Sequence, residues 1–157
     1  MKAINSKERP LFPGVTCQVE FHDLLWNFTA RRKGRRLAHA WCTPEGDALQ
    51  IMDFEVHREL VTPSNPLLPQ FFAVKRQLRR RGIGSALMRF VIETATEKNM
   101  TRISGEVADQ DLEEFAGLME WLEEFGFKRL QPDITDPFKT IWMIELGLPH
   151  RERTTER

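Results

Sequence analysis

The chain has 157 residues, 41% of them hydrophobic, enough to bury the core of one domain without disulfide or metal staples. Lys+Arg and Asp+Glu balance at 23 each, so no molecule-wide field draws the protein to nucleic acid or to an anionic membrane. Two cysteines, Cys17 and Cys42, form neither a zinc-ligand spacing nor a disulfide framework and read as reduced thiols. The start MKAINSKERPLFPG lacks the apolar stretch of a secretory signal, and no run reaches the roughly 20 apolar residues of a membrane span. A cytoplasmic protein with no membrane and no nucleic-acid partner is expected.

Residues 1–14 carry Pro10, Pro13 and Gly14 and read as a loose tail, as does the polar stretch 150–157; the whole of 1–157 is expected to be a single domain. CQVEFH (17–22), LLWNFTARR (24–32) and RLAHAWC (36–42) are β-prone runs, the last two separated by Lys33-Gly34. ARRKGRR (30–36) reads as a solvent-exposed hairpin turn, with a docking surface for an acidic acceptor as its second reading. TPEGD (43–47) is a turn by its Pro and Gly. ALQIMDFEVHRE (48–59) alternates as a strand, with Asp53, Glu55 and His57 on the face opposite Met52, Phe54 and Val56. These runs predict an antiparallel meander. His39 and Cys42 fall on opposite faces of an extended strand, which argues against a nucleophile–base pair. Trp26, Trp41 and Trp142 are expected to fill core.

VTPSNPLLP (61–69) holds three prolines and reads as a loop, and QFFAV (70–74) as a short apolar strand. Beyond Gly84 the period becomes helical: Ile83, Leu87, Phe90, Val91 and Ala95 share a face, and Asn99 is a suitable stop. RISGEV (102–107) is a strand. Asp111 with Glu114 suggests a capping box opening a second helix that buries Leu112, Phe115, Met119, Leu122 and Phe125 and ends at Gly126. FKRL and TIWMIEL close the chain as strands. The order predicts a mixed α/β domain built on one sheet.

The segment VKRQLRRRGIGSAL (74–87) lies between the apolar strand and the first helix. A helix opens with amides that have no internal partner, under the positive end of its dipole. Gly82 and Gly84 clear the approach to those amides, and arginines beside them offer forked donors suited to phosphate oxygens. The stretch is therefore an anion cradle. It is not a P-loop, since no Lys-Ser or Lys-Thr follows, nor G-x-G-x-x-G, since residue 87 is Leu.

Arg79-Arg80-Arg81-Gly82-Ile83-Gly84 resembles the [Arg/Gln]-x-x-Gly-x-[Gly/Ala] hallmark of the GNAT superfamily of acyl-CoA-dependent N-acyltransferases, and Val74 stands at that superfamily's usual interval before Gly82. EWLEEFGFKRL (120–130) is similar to its later helix, Gly-Phe turn and strand, so that residues 70–146 fit in order and spacing. The resemblance implies a single central mixed, mostly antiparallel sheet with helices on its faces. It implies acetyl-CoA as cosubstrate, no metal, and a primary amine as acceptor in a direct ternary-complex transfer. The coenzyme A pyrophosphate would sit on the amides of residues 80–85, which puts Arg79, Arg80, Arg81, Gly82, Ile83, Gly84 and Ser85 in the cofactor site. Backbone groups near Phe72 and Val74 would bind the pantetheine arm and polarise the thioester.

Acyl transfer to an amine needs a base. Glu106, on the strand expected to pair with residues 70–74, and Glu55 are the candidates; Asp53 and His57 lie near, and a plain solvent face accounts for Asp53 and Glu55 equally. Two departures from the superfamily pattern bear on activity. Leu122 stands where many members place a Tyr that protonates the leaving thiolate, and the chain contains no Tyr. No room exists between CQVEFH and LLWNF for the usual helical pair that walls the acceptor site; the 58–70 loop or the second subunit of a homodimer would have to supply it. An acyl-CoA-binding sensor without turnover is the alternative to an enzyme, and nucleic-acid binding through the two basic runs is the third reading.

Overall fold

The computed structural model describes residues 5–12, 14–56, 82–130 and 141–149. Among these described residues, eight strands and three helices follow in the order β1 (Asn5–Phe12), β2 (Val15–Phe21), β3 (Trp26–Arg32), β4 (Arg35–Glu45), β5 (Ala48–Val56), α1 (Ile83–Glu97), β6 (Arg102–Ala108), α2 (Asp109–Glu114), α3 (Leu118–Glu124), β7 (Lys128–Arg129) and β8 (Ile141–Gly147). The strands form one sheet in the order β1-β2-β3-β4-β5-β6-β8-β7. β5 pairs parallel with β6, and the meander β1 to β4 and the ladders β6–β8 and β7–β8 are antiparallel. The mixed, mostly antiparallel sheet of an α+β fold is the architecture the motifs implied. Internal contacts divide the chain into two compact units, 1–42 with 53–91 and 43–52 with 92–157.

The first unit is built on alternation. Val15, Cys17 and Val19 of β2 are buried while Thr16, Gln18 and Glu20 between them are only partly so. Their partners on β3 repeat the pattern, with Cys17 opposite Ala30 and Val19 opposite Phe28. Phe28 meets Phe90 of α1 edge to face, ring centroids 5.8 Å apart. The apolar face read from the sequence of α1 is the buried one: Ile83, Leu87, Phe90, Val91 and Ala95 are all in the core. The helix stops as expected at Asn99, whose φ of 59° is left-handed, with Met100 N–H donating to the Ala95 carbonyl and Asn99 N–H to that of Thr96.

Two expectations are corrected in this unit. Residues 5–12, read as part of a loose tail, form β1, paired with β2 from Asn5↔Phe21 to Phe12↔Val15. β1 closes the sheet on one side, and an edge strand tolerates Pro10 because one row of its backbone donors needs no ladder partner. Trp41, expected in the core, is 40% exposed. It shares a strand face with His39 and stacks on that ring, centroids 4.9 Å apart at 30°, while Ala38, Ala40 and Cys42 take the buried positions around it.

In the second unit β6 pairs with β8 along its whole length, from Arg102↔Gly147 to Ala108↔Ile141. The start of β5 lies along its other side, from Ala48↔Arg102 to Ile51↔Gly105. The helix expected from Asp111 to Phe125 is two short helices, because Gly117 between them adopts a left-handed φ of 84°. The cap also shifts: Ala108 is the N-cap, and Asp111, three residues inside, accepts a hydrogen bond from the Ala108 N–H at 3.1 Å. Met119 and Leu122 are buried, whereas Leu112, Phe115 and Phe125 are only half so. The C-terminal tail 150–157 lies outside the described residues.

Candidate functional site

The turn into α1 is the first element of the site. Gly82 has a φ of 71°, a conformation that costs an L side chain energy and that glycine adopts freely. Its carbonyl accepts the N–H of Ala86 at 2.9 Å, so the amides of the first turn, from Ile83 on, lie ahead of the first helical bond. Ile83 is buried, which anchors the turn in the core and leaves its backbone as its contribution to any ligand. Gly84 adds no side chain, and the first turn carries no acidic residue. The dipole and the lack of an acidic residue in this turn both fit an anionic group such as a phosphate. Phe72, Val74, Arg79, Arg80 and Arg81 lie outside the described residues.

A cluster of titratable side chains in the same unit is the second element. His39 Nε2 stands 2.6 Å from Asp53 Oδ2, and since an ionised carboxylate only accepts, the imidazole N–H donates. His39 is 4% exposed and the Asp53 side chain 45%, so the pair reaches from the interior to the surface. Glu55 joins them: one ligand atom from each of the three lies within 4.8 Å of the others. The donor set, an imidazole and two carboxylates, can hold a proton between its members and is also of a type that divalent cations accept. Sequence reasoning named Asp53 and Glu55 but missed His39. Its signal was present, since His39 and Asp53 lie on β-prone runs that flank the turn 43–47, but a hairpin partner cannot be paired without the register.

Glu106, the other candidate base, is exposed on β6 opposite Met143 of β8, in the second unit. The strand expected beside it, residues 70–74, lies outside the described residues. Over Arg102–Gly105 β6 has β5 as a parallel neighbour, its start pinned by Thr101 N–H to the Asp47 carbonyl at 2.7 Å. Leu122, at the position where the superfamily often has Tyr, is 4% exposed and serves the core. The cysteines are chemically quiet: burial pushes the Cys17 thiol up to about 12 and the Cys42 thiol upward as well, so neither is a thiolate near neutral pH.

Comparison with known proteins bears on the fold and the family. No curated protein matches the chain by sequence. Among solved structures it resembles the ribosomal-protein-S18-alanine N-acetyltransferase from Escherichia coli, with a TM-score of 0.60 at 15% identity over 87% of this chain and 77% of that one. Ard1 from Thermoplasma volcanium gives 0.57 at 17% identity over 79% and 71%. A Bacillus anthracis acetyltransferase solved with acetyl coenzyme A gives 0.57 at 14% identity over 82% and 66%. At such identities these likenesses speak for the fold. The family is set by the sequence itself: the acetyltransferase (GNAT) family matches residues 6–127, a span that includes the strand meander, the glycine turn and α1, and this chain belongs to that family.

Proposed function

We propose that the chain transfers an acetyl group from acetyl-CoA to a primary amine, by direct attack while both are bound. The observation that carries the reading is the Gly82 turn, whose positive φ leads into a helix start of the kind that suits a pyrophosphate. In this reading Arg79, Arg80 and Arg81 flank the phosphates, the backbone of Gly82, Ile83, Gly84 and Ser85 holds them, and backbone groups of Phe72 and Val74 bind the pantetheine arm. Acetyl-CoA, when bound, supplies a thioester activated towards amines. A base takes the proton of the incoming ammonium. Glu55 and Glu106 are the candidates, and the closeness of Glu55 to Asp53 and His39 favours Glu55. The leaving thiolate belongs to a thiol of pKa about 8.5 and departs without a strong acid, so the missing Tyr slows but does not forbid turnover.

The protein in this reading is one domain over 1–157, both units being parts of it, and acts in the cytoplasm without metal, nucleic acid or membrane. The 58–70 loop or the second subunit of a homodimer walls the acceptor site. A second reading, an acyl-CoA-binding sensor without turnover, is favoured by one observation: the residue at the Tyr position is Leu122, committed to the core. Calorimetric titration with acetyl-CoA, followed by an amine panel monitored for free thiol, separates the two. Gly82→Glu blocks the amides and adds like charge, and is expected to abolish acetyl-CoA binding while the far-ultraviolet circular dichroism is kept. Normal affinity in a folded Gly82→Glu protein overturns the phosphate seat, and binding without turnover on any amine favours the sensor.

A further inference from the structure

We propose that the hairpin joining β3 to β4 is a docking surface for an acidic segment of a polypeptide partner, separate from the Gly82 turn. Lys33 and Gly34 form its two-residue loop with φ of 48° and 75°, both positive as a tight hairpin requires. The register sets Arg31 directly opposite Arg36 and Arg32 directly opposite Arg35. All four arginines and Lys33 are exposed. Like charges facing each other across a ladder destabilise a hairpin, whereas alternating signs would give the same solubility with attraction. The chain has equal numbers of acidic and basic residues, so acids were available for those places. Arg32, Lys33 and Arg36 pair with no carboxylate among the described residues, and the Arg31 guanidinium donates to the Gly34 carbonyl at 3.4 Å. Arg32 and Arg36 so arranged keep their forks available to carboxylates supplied from outside.

The same end of the sheet has a cleft of about 210 Å³ lined by Glu8, Thr16, Gln18, Arg31 and Lys33. It is smaller than the roughly 300 Å³ at which small-molecule sites begin, and suits single side chains of a longer ligand. Its walls identify the kind of ligand. Glu8 opposes a continuous line of phosphates, and among the described residues no aromatic side chain lines the cleft, nor does one lie in residues 30–36, to stack a base. A peptide with separated Asp and Glu side chains places its carboxylates on the arginines and its backbone against Thr16 and Gln18. That argues for polypeptide over nucleic acid.

The test uses the full chain and fluorescence anisotropy with a short labelled peptide of alternating Asp and Gly, beside single-stranded and duplex DNA of matched charge at equal ionic strength. The peptide is expected to bind more tightly than either DNA, with affinity falling as salt rises. Arg31→Ser/Arg36→Ser is expected to weaken it about tenfold or more, through the loss of two charge-assisted contacts. The same variant is expected to unfold at an equal or higher temperature, because a repulsive pair is gone. No peptide binding by the wild type, tighter binding of either DNA, or unchanged peptide affinity in the folded double variant each overturns the proposal. Acetyl-CoA titration of the double variant, expected to be normal, keeps this outcome distinct from failure of the phosphate seat.

Discussion

Glu55 and Glu106 are both exposed carboxylates on strands, and their surroundings differ. Glu55 stands within 4.8 Å of Asp53 and of His39, which is held between the Asp53 carboxylate and the Trp41 ring. Asp53 and His39, fixed this close to Glu55, lose little entropy in taking a working geometry with it. Glu55→Gln is therefore expected to lower kcat about a hundredfold, the lower range for loss of a positioned base, with KM for acetyl-CoA little changed. Glu106→Gln is expected to leave both constants within about twofold of the wild type. Steady-state kinetics of the two variants over a pH series checks this, and the reverse ranking moves the base to Glu106. Asp53 and Glu55 were visible in the sequence as candidates because alternation along 48–59 puts them on one face. His39 was not, because its partner lies 14 residues away and only the hairpin closes that gap.

Among the elements, α1 was the most legible. Five apolar residues at helical spacing leave one way to bury them, and all five are buried. The later helix was misjudged because Gly117, a residue tolerated inside helices at modest cost, takes a left-handed φ and divides it in two. The turn after α3 was read correctly, since Gly126 ends the helix with a φ of 96°. A Cβ added there would lie 3.2 Å from Leu146 Cδ1, so substitution meets both backbone strain and a close contact. Gly126→Ala is expected to cost about 1–2 kcal/mol, read as a lowered urea midpoint with an unchanged slope. Stability equal to the wild type would show that α3 ends without needing that conformation.

At the scale of the molecule, the two buried thiols link stability to alkaline pH. Cys17 is raised from its ordinary 9.0 to about 12 by desolvation, and burial raises Cys42 as well. The folded state thus keeps protons that the unfolded chain gives up. Below pH 9 both states hold them and stability is unaffected; from pH 9 towards about 12 the unfolded state alone ionises, and stability falls. Urea unfolding of the wild type is expected to become easier across that window, and Cys17→Ala/Cys42→Ala to show a shallower fall. Equal pH dependence in both proteins would mean that the thiols are not protected in the fold.

Sequence alone determined the features that depend on neighbours along the chain. The two-residue turn at Lys33-Gly34, the α1 face, the Asn99 stop and the glycine turn before α1 each rest on a few adjacent residues, whose φ preferences and apolar period suffice to specify them. Family membership was legible for the same reason, being carried by a contiguous motif. What required the tertiary structure was every feature set by pairing between distant segments. The sheet edge turned residues 5–12 from an apparent tail into β1, because an edge strand needs hydrogen-bond partners on one side only. The β5–β6 ladder set the start of β5 beside Arg102–Gly105, and the hairpin brought His39 to Asp53. Register is a property of two strands at once, and no single stretch of chain contains it.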